Sequence, residues 1–146
     1  PEWMHSRASR SMEAASLQSN TFCQRVIDRF LRNNDYDRYL DAIRRGYRDK
    51  RDLFLNSMED CLPDTVSWNR PDGGMFVWLR TPKGTDAMAL HKLCIDRGLV
   101  VMPGKPFHVR GGENTIRLNY ATPGPEAIDK GMRILGEACR DLYGGH

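Results

Sequence analysis

Apolar residues recur at spacings of three and four along the first part of the chain and cluster in short runs along the second. Val26, Ile27, Phe30 and Leu31 form a stripe that predicts a helix. Its start is at Ser19-Asn20-Thr21, whose short polar side chains suit a cap, and Asn33-Asn34-Asp35 interrupts it. Leu40, Ile43, Tyr47, Phe54, Met58 and Cys61 keep one side of a second helix, from about Tyr36 to Cys61, that Leu62-Pro63-Asp64 ends. This helix exceeds the usual length of roughly 11–12 residues. Its narrow stripe among many charges predicts a bridge between two masses. Residues 1–15 are polar, rich in Ser, Arg and Ala, and read as an arm or a loose helix.

The pattern then changes period. Thr65-Val66-Ser67-Trp68-Asn69 alternates like a strand, Pro71-Asp72-Gly73-Gly74 turns, and Met75-Phe76-Val77-Trp78-Leu79 is an apolar strand, so a hairpin is predicted. A helix follows from about Asp86 to Arg97, with Gly98 as its stop. Leu99-Val100-Val101-Met102 reads as a buried strand and Thr115-Ile116-Arg117-Leu118-Asn119-Tyr120 as the last strand. Pro125 opens a final helix with Ile128, Met132, Leu135, Cys139 and Leu142 on its buried face. The order predicts an α+β fold, a small mixed or antiparallel sheet with helices packed on one face, preceded by a long interdomain helix. The predicted division is a helical arm with interdomain helices over 1–62 and a sheet domain over 63–146. Trp68, Phe76 and Trp78 are expected in the core.

Composition narrows the function classes. The chain has 146 residues, 40% hydrophobic and 28% charged, as in an ordinary globular protein. It has no apolar run long enough to span a bilayer and no apolar signal core after Pro1, so a cytoplasmic location is expected. A start at Pro1 instead of Met points to a fragment or a processed product. The net charge is +3, and acids interrupt the basic residues, as in Arg44-Arg45-Gly46-Tyr47-Arg48-Asp49. That mixture reads as a solvated helix face and not as a nucleic-acid surface. Cys23, Cys61, Cys94 and Cys139 form no pair with metal-ligand spacing, so free thiols in a reducing compartment are expected and no metal site. His91 reads as a surface or satisfied core residue.

Arg117 is the residue with the most chemical content. A guanidinium inside an apolar strand needs a partner, because an unpaired buried charge is costly. Two readings stand: an edge-strand arginine that reaches solvent or a nearby acid, and a rigid fork that takes a carboxylate ligand bidentately.

Four segments, in order, carry a resemblance. Pro71-Asp72-Gly73-Gly74-Met75-Phe76-Val77-Trp78-Leu79, Gly98-Leu99-Val100-Val101-Met102-Pro103-Gly104 with Phe107, Ile116-Arg117-Leu118-Asn119-Tyr120, and Pro125-Glu126-Ala127-Ile128-Asp129-Lys130-Gly131 are similar to the C-terminal part of class I/II, fold type I pyridoxal-phosphate aminotransferases. The subgroup resembled is the one with aminoadipate and kynurenine aminotransferases and the aminotransferase-like domains of MocR-type regulators. The resemblance implies that Arg117 binds the substrate α-carboxylate, that Gly73 and Gly74 turn beside the substrate channel, and that Pro103, Gly104 and Phe107 form a loop near the substrate. It also implies that Ser19 and Asn20 belong to a segment reaching the neighbouring subunit of a homodimer, with a helix cap as the plainer reading of both.

The resemblance implies a pyridoxal 5'-phosphate enzyme moving an amino group between an amino acid and a 2-oxo acid. Lys50, Lys83, Lys92, Lys105 and Lys130 do not sit in the family's Ser-x-x-Lys context, so no catalytic residue is assigned to this chain and it is expected to be inactive alone. The alternative is the effector domain of a MocR-type transcription regulator, the one reading in which nucleic acid is a partner. A stand-alone interaction module is the third.

Overall fold

The computed structural model describes residues 2–17 and 20–144. The chain divides into two compact units, Pro1–Ala42 and Ile43–His146. The division falls inside a long helix. The reason is burial: Phe54, Leu55 and Met58 of that helix belong to the core of the second unit.

The first unit is helical. α1 (Glu2–Ala15) buries nothing, in keeping with its weak periodicity. α2 (Thr21–Asn33) starts where the polar cluster predicts, with the Asn20 side chain accepting from the Cys23 N–H at 3.2 Å. Its Val26, Ile27, Phe30 and Leu31 stripe is exposed. α3 (Tyr36–Cys61) has the predicted bounds and runs from the first unit into the second.

The second unit is a four-stranded antiparallel sheet with helices on one face. Its strands are β1 (Ser67–Trp68), β2 (Phe76–Arg80), β3 (Met102–Pro103) and β4 (Thr115–Asn119), in the order β1-β2-β4-β3. β2 and β4 pair in the register Phe76↔Asn119, Val77↔Leu118, Trp78↔Arg117 and Leu79↔Ile116. Opposite residues share a face, so Val77, Leu79, Ile116 and Leu118 form the inner face. They pack against Phe54 and Met58 of α3, Leu90 and Cys94 of α4 (Ala87–Asp96), and Ile128, Met132, Leu135 and Cys139 of α5 (Pro125–Tyr143). Each such side chain, fully buried, contributes about 1.5–3 kcal/mol of transfer free energy.

Local chemistry explains the helix ends. Asp86 caps α4 by accepting from the Met88 N–H at 2.8 Å, and Gly98, at φ +80°, turns the chain out of it. Pro125 opens α5 where its missing N–H costs nothing. The end of α3 lies on α5: a Cβ at Gly136 would run into the Cys61 carbonyl, which also accepts from Arg140 Nη1 at 2.8 Å.

Three expectations are corrected. The Leu99–Met102 strand is shorter, confined to Met102–Pro103, and it is not buried as a whole: Val101 is buried, but Val100 and Met102 are exposed. Phe76 and Trp78 are half-buried on the outer face of the sheet, and Trp68 alone of the three aromatics packs against the core. Leu142 is exposed, since the buried face of α5 passes from Cys139 to Tyr143, one position further on. No helix among the described residues is long and apolar enough to cross a membrane.

Candidate functional site

Arg117 lies on the outer face, since it stands opposite Trp78 and Met102 while its neighbours Ile116 and Leu118 point inward. It is half-buried, with no carboxylate and no hydrogen-bond acceptor paired to it among the described residues. Its guanidinium lies between two rings, 4.3 Å from the centroid of Phe76 and 3.9 Å from that of Phe107. Phe76 is its diagonal neighbour across the β2–β4 ladder, within reach of a long side chain. Both rings are within cation–π range of the guanidinium, and none of its N–H donors has an acceptor among the described residues.

Phe107 comes from the 104–114 loop, by way of a short 3-10 turn, Lys105–Phe107. The loop is seated on the outer face by packing that only small residues permit. Gly104 is buried against Thr115 and the Trp78 ring, and its N–H donates to the Thr115 carbonyl at 2.7 Å. Gly112, at φ +85°, packs on the His108 ring. Trp78 meets Phe107 and His108 edge-on, with centroids 6.0 and 5.4 Å away. His108 Nε2 is 3.3 Å from the Thr115 hydroxyl. Pro103, beside Gly104, pairs with Ile116.

The Gly73–Gly74 turn enters β2 at the end where Phe76 faces Asn119, whereas the 104–114 loop enters β4 at the end where Thr115 faces Arg80. Gly74 takes φ +88°, a conformation L side chains rarely adopt, whereas Gly73 does not. A Cβ on Gly73 would meet nothing. The turn is tied down from both sides. The buried Tyr120 donates its hydroxyl proton to the Gly74 carbonyl at 2.7 Å, and Arg51 Nη1 donates to the Pro71 and Asp72 carbonyls at 3.4 and 3.2 Å. Sequence reasoning missed Tyr120 and Arg51, because neither type at either position announces a carbonyl partner that far away in the chain.

A cleft of about 470 Å³ is lined by Arg117, Phe76 and Met102 together with Ile128, Met132 and Leu135 of α5, Phe107 standing outside it, and Arg117 is the one charged residue of its lining among the described residues. Of the sequence-predicted site residues, the structure brings Phe107 onto Arg117, whereas the Gly73–Gly74 turn lies at the other end of the β2–β4 pair from the 104–114 loop and borders a separate hollow with Arg51 and Tyr120. Asn20 is the cap of α2 in the other unit, and Ser19 lies outside the described residues. His91 is a satisfied residue: its Nδ1 bonds the Val101 carbonyl at 2.7 Å.

The family sequence profile for "Aminotransferase class I and II" matches residues 6–135. The chain belongs to that family. It is 37% identical over 134 residues to a 2-aminoadipate transaminase of Thermus thermophilus, covering 91% of this chain and 34% of the relative. The crystal structure of an α-aminoadipate aminotransferase of Thermus thermophilus superposes with a TM-score of 0.83 at 35% identity, covering 92% of this chain and 35% of that one. An uncharacterised HTH-type transcriptional regulator of Bacillus subtilis is 28% identical over 142 residues, covering 97% of this chain and 29% of the relative. The chain thus spans about a third of the length of these relatives.

The family implies pyridoxal phosphate, which needs a lysine amine for its imine, an acid facing the ring nitrogen and donors for its phosphate. Among the described residues the cleft lining holds no lysine, aspartate or glutamate. Lys50 is engaged with the Ala121 carbonyl at 2.6 Å, and Lys105 pairs with Glu113 at 3.5 Å. These residues do not by themselves make a site for the cofactor.

Proposed function

We propose that this chain is the C-terminal portion of a pyridoxal-phosphate-dependent aminotransferase that moves an amino group between an amino acid and a 2-oxo acid, and that Arg117 binds the substrate α-carboxylate. The observation that carries the reading is the guanidinium held between Phe76 and Phe107, with no acid paired to it among the described residues. A structural arginine on a sheet face would be expected to have recruited an acid of its own chain, as Arg97 does with Asp141 at 2.5 Å. Arg117 has a fork to offer and nothing of its own in it.

In this reading the chain's own residues bind, orient and enclose. Arg117 takes both carboxylate oxygens along its edge, which fixes the plane of the substrate. The aromatic walls and the 104–114 loop keep water from the back of that ion pair and strengthen it. The Gly73–Gly74 turn, held by Tyr120 and Arg51, brings bare backbone to the Phe76 end of β2, leaving room for substrate. The cofactor supplies an electron sink for bond breaking at the substrate α-carbon. It and its lysine belong to other parts of the parent protein, so the isolated chain does not transaminate. A cytoplasmic homodimer with the Ser19–Asn20 segment reaching the neighbouring subunit completes the reading.

The similarity to an HTH-type regulator supports a second reading, an effector domain that binds the same carboxylate without turning it over. The experiment that separates the two supplies the full-length protein with pyridoxal phosphate, amino acids and 2-oxo acids. Amino-group transfer above the cofactor-only background supports the enzyme. Saturable amino-acid binding without transfer supports the regulator.

A further inference from the structure

We infer that Phe107 and Phe76 are positioning residues for Arg117, and that the 104–114 loop serves the carboxylate site by holding Phe107 against the guanidinium. The inference rests on the carboxylate-binding role proposed for Arg117, and it adds what keeps that arginine ready.

The argument starts from the cost of ordering an arginine. A free arginine side chain samples many rotamers, and fixing it on a ligand costs about 0.5–1.5 kcal/mol. Here the cation already rests against two rings, at 3.9 and 4.3 Å from their centroids. Phe76 is set by its place in the β2–β4 ladder. Phe107 has no such support, being nearly half exposed on a loop. What fixes it is a chain of contacts that ends on the sheet. Trp78 meets its edge, Trp78 also meets His108, and Gly104 and Gly112 let the loop backbone come down onto Thr115, Trp78 and His108. Removing the Phe107 ring takes away one of the two ring contacts on the cation and restores its rotamer freedom without opening the core, because the ring packs on the outer face.

Two rings packed on the cation also leave a ligand fewer directions of approach, and the planar fork suits a flat two-oxygen acceptor. Phe107 thereby acts on the substrate through Arg117 and needs no contact with the rest of the substrate.

The test is made in the full-length protein with three variants: Phe107→Leu, Phe107→Tyr and Arg117→Lys. Phe107→Leu is expected to raise KM for the amino acid about three- to tenfold, as freed rotamers imply, with kcat nearly unchanged. Phe107→Tyr keeps the ring and restores the wild-type KM. A second readout is independent of turnover. The Arg117 Nε–H resonance, shifted by the flanking rings, moves toward the position of a free arginine in Phe107→Leu and stays in Phe107→Tyr. If Arg117→Lys raises KM while Phe107→Leu leaves both KM and the resonance unchanged, the positioning role is wrong and the carboxylate role stands. If Arg117→Lys leaves KM unchanged, the carboxylate role has failed, and the resonance still reports whether Phe107 holds the arginine. A loss of kcat in Phe107→Leu at constant KM contradicts the inference.

Discussion

The hydroxyl of Tyr120 reaches the carbonyl of Gly74 at 2.7 Å, so the strand that carries Arg117 also anchors the turn that opens the neighbouring strand. The two residues are far apart in sequence, yet this bond and the Tyr120 N–H on the Met75 carbonyl at 3.1 Å fix the same end of the sheet. Tyr120→Phe removes the hydroxyl and leaves the ring packed near Phe54. The expected cost is about 0.5–1.5 kcal/mol by urea unfolding, the net value of one such bond. A larger change would mean that the ring has moved as well.

The two glycines of that turn separate cleanly. Gly74→Ala forces an L side chain into φ +88° and is expected to destabilise by about 1–2 kcal/mol. Gly73→Ala places a methyl in open space and is expected to be neutral or slightly stabilising. Thermal melts of the pair decide the point, and equal effects would contradict the geometry. Substrate KM gives Gly73→Ala a second reading, because a methyl that is harmless to the fold but harmful to binding places the turn beside the substrate.

The docking of α3 on α5 rests on a close approach. Gly136→Ala gains helix propensity of up to about 1 kcal/mol but pushes a methyl into the Cys61 carbonyl. Overpacking of this kind typically costs about 1–3 kcal/mol, so a net loss of stability is expected in chemical denaturation. An unchanged midpoint would show that the two helix backbones separate freely.

Two buried thiols make the fold sensitive to alkali. Burial pushes the Cys94 thiol from 9.0 up to about 11, with Arg97 opposing the rise. Cys139 is pushed up to about 12, by burial first and then by Cys94, with Arg140 opposing. The folded chain keeps these protons where the unfolded chain has released them. Stability from this source is therefore full below pH 9 and falls as pH rises from about 9 through about 11 to 12. Replacing both by Ala should flatten that alkaline slope in a series of unfolding midpoints. At neutral pH iodoacetamide should label the exposed Cys23 and leave Cys94 and Cys139 until the protein unfolds.

Much of this architecture was legible in the residue pattern, and the gaps have physical causes. The bounds of α3 and the start of α5 follow from capping and proline chemistry, which is local, and the structure agrees with both. The faces of the sheet were harder. Met75-Phe76-Val77-Trp78-Leu79 is apolar on both faces, so period-two alternation cannot say which face is core. Only the register, with Trp78 opposite Arg117, assigns Phe76 and Trp78 to the outer face. Val100 and Met102 belong to a run apolar enough for a buried strand, but pairing with β4 is limited to Met102 and Pro103. Arg117 stood out because a charge in an apolar strand is expensive. Its two aromatic neighbours did not stand out by spacing, since cation–π partners are set by tertiary placement, and Phe107 entered only through the family resemblance.

The central claim, that Arg117 holds a substrate carboxylate by its fork, is tested most directly by Arg117→Lys in the full-length protein. Lysine keeps the charge and loses the planar pair of donors. The expected result is a KM for the amino acid raised about tenfold or more, as the loss of one charge-assisted bond implies, with the melting temperature unchanged. An unchanged KM, with the protein folded and the cofactor bound, would contradict the claim and remove Arg117 from the site.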